Sequence, residues 1–192
     1  MKIKGKDIAI VAVFIVIGLL SRTAYHLGPN IEFITALSVV SPFFLSNKKL
    51  SFLVPFGSMI LSDLMLGNTI IFTFTWSAFL MAPVFGIIAA KISRKQDFGL
   101  KALTSTGGSL LSNIVFFLWT NFGVVITTTM YDKNLAGLMQ SYINALPFFR
   151  NQLISGLIFT PAIMISIYAL TKINERLRSE SLKSIQLEST GF

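Results

Sequence analysis

The sequence has no cysteine and only one histidine, His26, among its 192 residues. The first absence excludes disulfides, thiolate metal sites and a cysteine nucleophile, and the second disfavours a histidine-based metal cluster. Catalytic signatures such as G-x-S-x-G, H-E-x-x-H and the P-loop are also missing. We therefore expect a protein that is not an enzyme and that uses no metal or cofactor.

Charge is scarce too, at 12% of residues, whereas hydrophobic residues make up 53% and the mean hydropathy is +0.72. In soluble domains roughly a quarter of the residues are charged. A soluble domain of this length could not bury this much apolar surface. We expect one transmembrane domain over residues 1–173 and a polar cytoplasmic tail over residues 174–192. The net charge of +8 does not favour nucleic-acid binding, because the basic residues form short clusters between hydrophobic runs.

Apolar runs long enough to cross a bilayer predict an all-α bundle of six transmembrane helices. The first run imitates a secretory signal, yet no A-x-A pattern follows it, so we expect a retained helix. The second run is short, and we expect neighbouring helices to enclose it or a re-entrant stretch to precede it. The predicted spans cover residues 7–27, 32–45, 50–66, 69–90, 103–130 and 151–171.

The distribution of Lys and Arg predicts the orientation of these spans. Thirteen of the 16 basic residues fall on one side, and only Arg22, Lys133 and Arg150 fall on the other. Cytoplasmic loops carry this excess, so both termini are expected in the cytoplasm of a cell inner or plasma membrane. The thirteen are Lys2, Lys4, Lys6, Lys48, Lys49, Lys91, Arg94, Lys95, Lys101, Lys172, Arg176, Arg178 and Lys183.

Residues 131–149 are too polar to span a membrane but repeat apolar residues at helical spacing. They predict an external amphipathic helix between helices 5 and 6. Pro147 is expected to end this helix before helix 6 begins near Asn151.

Two charged residues are predicted at the outer membrane boundary, Asp63 closing helix 3 and Arg150 opening helix 6. An ionised carboxylate is costly in lipid, so Asp63 is expected to face the protein interior or a wet cavity. Asp63 is interpreted either as a substrate or cation contact or as a structural cap of the adjacent turn. Arg150 is interpreted as a ligand of an anionic substrate group, as the partner of Asp63, or as a contact of lipid phosphates.

Uncharged polar residues complete the predicted site. Ser109 and Asn113 share one face of helix 5, where helix packing explains the serine and ligand binding is an equal alternative for the larger Asn113. Asn121 lies in the outer half of the same helix, where Trp119 and Trp76 also fit an aromatic belt. The polar connector before helix 2, which holds His26, Asn30 and Glu32, is expected to line or cover an external cavity.

The chain also resembles a group of small bacterial and archaeal membrane proteins classed with the S components, the substrate-binding subunits, of energy-coupling factor transporters. The resemblance covers helix 1 to helix 6, and its last block is the most specific. Its blocks are Pro29-Asn30, Ser62-Asp63-Leu64-Met65-Leu66-Gly67, Thr120-Asn121-Phe122-Gly123, and Gly137-Leu138 continuing through Tyr142 to Ala145-Leu146-Pro147-Phe148-Phe149-Arg150-Asn151.

This resemblance implies a six-helix bundle that captures a vitamin or similar micronutrient from outside and docks on a coupling subunit driven by two ATPases. S components dock through small residues of helix 1, often Ala-x-x-x-Ala, where this chain offers Gly5, Ala9 and Ala12. That departure keeps open a solitary transporter or a structural protein of the cell envelope similar to the rod-shape membrane proteins. The candidate substrate-binding residues are Asn30, Asp63, Trp76, Asn113, Trp119, Asn121, Tyr142, Arg150 and Asn151.

Overall fold

The computed structural model describes residues 4–25, 28–67 and 69–189, without the side chains of residues 183–184 and 187–189. His26 therefore lies outside the described residues. Within these ranges the chain is helical, with no β-strand, which confirms the predicted all-α class. The helices are α1 (Gly5–Thr23), α2 (Ile34–Phe44), α3 (Leu53–Leu66), α4 (Phe72–Phe79), α5 (Met81–Ile92), α6 (Phe98–Thr127) and α7 (Leu135–Ser189).

Among the described residues, four helical stretches are long and apolar enough to cross a membrane, which supports a multi-pass membrane protein. The first begins with a 3₁₀ turn that leads directly into α3. Helix α1 has 19 residues but includes Lys6, Asp7 and Arg22, and α2 has only 11. The four stretches are Lys48–Leu66, Phe72–Ile92, Phe98–Thr127 and Leu135–Leu182.

Helix α2 occupies the centre of the bundle. Every residue from Ile34 to Pro42 is buried, and the helix packs against α1, α3, α5, α6 and α7. Eleven residues span only about 17 Å, less than a hydrocarbon core about 30 Å thick. The expectation that neighbouring helices enclose this short helix is confirmed, so protein rather than lipid surrounds α2.

Small residues let the helices approach closely. A Cβ on Gly86 of α5 would collide with the backbone of Val39 of α2. A Cβ on Gly18 of α1 would lie 2.5 Å from the hydroxyl oxygen of Ser58 on α3. Close packing at small residues is a main source of helix association in lipid, where the hydrophobic effect no longer drives it.

The two ends of the bundle differ in character. At one end the buried carboxylate of Asp7 accepts hydrogen bonds from the backbone N–H groups of Ser46 and Asn47, at 3.0 and 3.3 Å, which ties α1 to the loop after α2. We call this the basic end, since the basic loops 46–50 and 93–97 lie there. The opposite, connector end carries residues 28–33, which join α1 to α2.

The predicted span 69–90 is divided into α4 and α5, which meet at Leu80. Pro83 lies in the first turn of α5 and has no N–H to donate to the carbonyl of Phe79. The backbone N–H of Leu80 still bonds to the carbonyl of Trp76 at 3.1 Å. The two helices therefore follow one another as a single apolar stretch that is interrupted at Leu80.

The prediction of a separate external helix ended by Pro147 is wrong. Residues 135–189 form one helix, α7, with Pro147 and Pro161 inside it. Aromatic packing across the proline holds α7 on α6, because the ring of Phe117 lies 5.5 Å from that of Tyr142 and 4.4 Å from that of Phe149. The polar tail continues α7 through Ser189, and the side chains of residues 172–182 and 185–186 are exposed.

Candidate functional site

Polar residues from the connector and three helices meet inside the connector half of the bundle. They surround a small internal space of about 200 Å³ that is too narrow to admit a water-sized sphere. We call this group the polar pocket. Its lining consists of Asn30, Glu32, Thr35, Ala36, Ser109, Asn113, Gln152, Ser155 and Gly156.

The polar pocket exists because α6 and α7 approach closely at Gly156. A Cβ on this glycine would lie 2.9 Å from Nδ2 of Asn113 and 3.1 Å from Oγ of Ser109. The amide of Asn113 instead donates a 2.8 Å hydrogen bond to the backbone carbonyl of Gln152. This bond between two buried residues orients the Asn113 side chain across the interface.

Glu32 supplies the carboxylate of the polar pocket from the start of α2. One of its oxygens accepts from the backbone N–H of Ile34 and the other from the hydroxyl of Thr35 at 3.1 Å. Glu32 thus places an acceptor-rich group in the pocket wall.

Two hydroxyls of the polar pocket have no partner. Oγ of Ser109 and Oγ of Ser155 are buried, and neither forms a hydrogen bond with any described residue. Buried polar groups are normally satisfied, and each unpaired one costs about 1–3 kcal/mol. Two unused hydroxyls therefore lie in the lining of one pocket.

An open cavity of about 370 Å³ adjoins the polar pocket and shares Asn30 and Gln152 with it. We call it the aromatic cavity. Four phenylalanines supply much of its wall, and Thr75, Thr120 and Asn121 add polar groups. The four are Phe116, Phe117, Phe148 and Phe149. The combination offers flat apolar faces next to fixed hydrogen-bonding groups, which is typical of small-molecule sites.

The nine predicted binding residues separate into three groups. Asn30, Asn113 and Asn121 line the polar pocket or the aromatic cavity. Trp119 and Tyr142 line a different groove of about 580 Å³, where Trp119 Nε1 donates to the Ser77 hydroxyl at 2.9 Å. The remaining four lie at the connector end but line neither the pocket nor the cavity.

Two of these four, Asp63 and Trp76, belong to an internal clasp. Asp63 forms an ion pair with Arg22 at 2.9 Å, and its other oxygen accepts from Nε1 of Trp76 at 2.7 Å. Arg22 also donates to the hydroxyl of Ser62 at 2.7 Å. The Asp63 side chain is only 9% exposed, against 25% for Arg22. The carboxylate therefore joins α1, α3 and α4.

The other two, Arg150 and Asn151, lie within α7 at the same end of the bundle. Arg150 is exposed and forms no ion pair within the described ranges, so the hypothesis that it pairs with Asp63 is not the arrangement observed. Asn151 donates from Nδ2 to the carbonyl of Pro29 at 3.0 Å. This bond fastens the connector over the polar pocket.

One family model matches residues 2–179, which is most of the chain. The chain belongs to the DUF6580 family, a family of unknown function. No curated protein and no solved structure matches it. The match to DUF6580 therefore covers all the helices except the end of α7 beyond residue 179, but it assigns no substrate or partner.

In this DUF6580 chain, sequence reasoning missed the contribution of α7 to the polar pocket. Gln152, Ser155 and Gly156 were read as part of an apolar span. Their spacing, with Thr160 four residues further on, places small and polar residues on one helical face. That pattern was the available signal. It could not reveal that Glu32 would meet this face, because the two segments are distant in sequence.

The predicted docking residues lie on the free surface of α1. Gly5, Ala9 and Ala12 are all exposed, and a Cβ on Gly5 would have no neighbour within 4 Å. The opposite side of α1 is buried through Val11, Phe14 and other residues. A small-residue face is therefore accessible to lipid or to another membrane helix.

Proposed function

We propose that this protein is the membrane-embedded substrate-binding component of an uptake system for a vitamin or similar small micronutrient. In this proposal six helices cross the cell membrane, both termini are cytoplasmic, and the connector end faces outside. The excess of basic residues at the opposite end supports that orientation. The observation that carries the proposal is that two buried hydroxyls without partners, Ser109 and Ser155, line a pocket that adjoins the aromatic cavity.

The chemistry of the two spaces favours an uncharged or cationic aromatic heterocycle as the solute. The polar pocket presents amides, hydroxyls and the Glu32 carboxylate, and the described residues that line it and the aromatic cavity include no Lys or Arg. A flat ring would stack on the phenylalanines of the aromatic cavity. Its polar edge would then reach Ser109 and Ser155 and satisfy hydrogen-bonding groups that have no protein partner.

Entry of a solute requires the polar pocket to widen. Gln152 lines both spaces, and we propose that a change in its side-chain rotamer connects them. The Asn151–Pro29 hydrogen bond at 3.0 Å holds the connector above this route. We propose that the connector releases and reforms this bond as the solute enters.

The exposed small residues of α1 support docking on a second membrane protein. In the uptake proposal, Gly5, Ala9 and Ala12 approach a helix of an energy-coupling subunit that is driven by two ATPases. The same face also favours the second candidate, a structural or assembly protein of the cell envelope. The two functions differ in whether the polar pocket needs to bind a solute.

The discriminating experiment is native mass spectrometry of the purified protein, combined with an unfolding assay. Replacing unpaired hydroxyls by hydrogen removes buried polar groups without partners, so Ser109→Ala with Ser155→Ala should maintain stability or raise it by about 1 kcal/mol. The same double change should abolish a retained solute. Ser166→Ala is the matched control, because Ser166 lies on the exposed face of α7 and bonds only to its own helix.

Retention of an organic solute by the wild type and by Ser166→Ala, but not by the double variant, supports uptake. A wild type that carries no solute and co-purifies with an envelope protein contradicts it. In that case the unpaired hydroxyls would be a property of helix packing alone.

A further inference from the structure

The basic end of the bundle contains a second site that differs from the polar pocket in charge and shape. A cavity of about 520 Å³ opens between the ends of α2 and α5, the start of α6 and the α7 segment near Tyr168. Three cationic side chains line it, namely Lys48, Arg94 and Lys101. We call it the basic cavity.

The three cations have no counter-charge of their own. None of them forms an ion pair with a described residue. One carboxylate lines the cavity, Asp97, and its Oδ1 already accepts from the backbone N–H of Leu100 at 2.9 Å as the cap of α6. Three positive charges against one negative charge leave the cavity net positive. It therefore attracts an anion.

The rest of the wall is apolar and selects what kind of anion fits. Pro42, Phe43, Phe44 and Leu45 from the end of α2, with Met164 from α7, form this part. The ring of Phe98 stacks on that of Tyr168 at 4.2 Å and closes one side. A wall of this kind suits a hydrocarbon chain next to a charged headgroup better than it suits a free inorganic ion.

We propose that the basic cavity binds the phosphate headgroup of an anionic phospholipid, with part of an acyl chain along the apolar wall. Arg94 provides the planar donor group that contacts phosphate through two hydrogen bonds, and Lys48 and Lys101 add point charges. This site does not depend on the solute-binding proposal. It places a binding site for an anionic phospholipid at the basic end of the bundle.

Neighbouring residues offer a control with the same change in charge. Lys49, Lys91 and Lys95 lie in the same loops or helix end as the lining cations, but they are exposed and do not line the cavity. The triple variant Lys48→Gln, Arg94→Gln, Lys101→Gln is therefore compared with Lys49→Gln, Lys91→Gln, Lys95→Gln. Arg94→Gln alone provides a milder version, because Arg94 lies in an exposed turn.

The experiment titrates purified protein with phosphatidylglycerol, with phosphatidylcholine or with inorganic phosphate, and counts bound molecules by native mass spectrometry. We expect phosphatidylglycerol to bind at least about tenfold more tightly than phosphatidylcholine, and the lining triple variant to lose at least about tenfold in affinity. The control triple variant should lose much less. Arg94→Gln should lie between the wild type and the lining triple variant.

Three results would overturn the proposal. Equal losses of phosphatidylglycerol affinity in the two triple variants would mean that any surface cation attracts the headgroup. Equal affinities for phosphatidylglycerol and phosphatidylcholine would mean that the three cations do not select an anionic lipid. Full displacement of phosphatidylglycerol by an equal concentration of inorganic phosphate would assign the cavity to free phosphate instead.

Discussion

At the scale of single residues, the charged groups of the connector end have different roles despite similar positions in the sequence. Asp63 is held between Arg22 and Trp76 and is mostly buried. Arg150 is exposed without an ion pair to any described residue. Glu32, which caps α2, is the carboxylate that lines the polar pocket. The sequence predicted that Asp63 and Arg150 lie at the same depth in the membrane, and we therefore considered them a possible pair. Depth does not tell which way each helix is rotated, so it could not predict which residues are in contact.

Arg22→Gln is expected to destabilise the protein far more than Arg150→Gln. Loss of one partner from a buried ion pair leaves the other charge uncompensated, at a cost of about 3–5 kcal/mol. Arg150→Gln should change the free energy of unfolding by less than about 1 kcal/mol, because it removes an exposed charge. Equilibrium unfolding in detergent, followed by tryptophan fluorescence, measures both, with Trp76 next to the clasp. Equal effects would contradict the clasp.

Gly156→Ala is expected to disrupt the polar pocket. The added methyl group would push against the Asn113 amide and the Ser109 hydroxyl, and overpacking of this kind costs about 1–3 kcal/mol. Gly107→Ala on α6 is the control, because a Cβ there has no neighbour within 4 Å and alanine favours a helix by about 0.5–1 kcal/mol. Unfolding assays should therefore show opposite signs. A stabilising Gly156→Ala would mean that α6 and α7 are not in close contact.

At the scale of helices, the lengths of the hydrophobic runs identified most elements. The positions of the prolines, by contrast, did not reliably predict where helices end. Pro83 lies just after the break between α4 and α5, whereas Pro147 lies inside α7 without ending it. The difference lies in tertiary packing: Phe117 of α6 contacts aromatic rings on both sides of Pro147. Such contacts come from a distant helix and cannot be recognised from the local sequence.

The continuity of α7 predicts a distance. Met139 and Leu157 are exposed on either side of Pro147, and 18 residues of helix correspond to about 27 Å between their Cα atoms. The chain has no cysteine, so cysteines introduced at these two positions carry the only spin labels. Pulsed electron spin resonance should give a narrow distribution near this distance, unchanged by Pro147→Ala. A distribution centred at a clearly shorter distance would instead support two separate helices that fold back on one another at Pro147.

At the scale of the whole molecule, composition predicted an all-helical membrane protein, whereas the polar pocket depends on how the helices pack. The all-helical membrane character followed from hydropathy, and the enclosure of α2 followed from its short length. The polar pocket did not follow, because its lining comes from residues 30–36, 109–113 and 152–156. Only the packing of α6 and α7 at Gly156 brings those segments together. Asn30, Asn113 and Asn121 were predicted to belong to one substrate-binding site, and the structure places them in two adjoining spaces.

The uptake proposal requires the aromatic cavity to open to the outside and the basic cavity to face the cytoplasm. Labelling of single-cysteine variants in intact cells with a membrane-impermeant maleimide tests this requirement most directly. Asn121→Cys, in the aromatic cavity, and the exposed Arg150→Cys should react from outside, whereas Lys95→Cys should react only after the cells are permeabilised. Labelling of Lys95→Cys in intact cells, with Arg150→Cys protected or equally labelled, would contradict both the orientation and the uptake function.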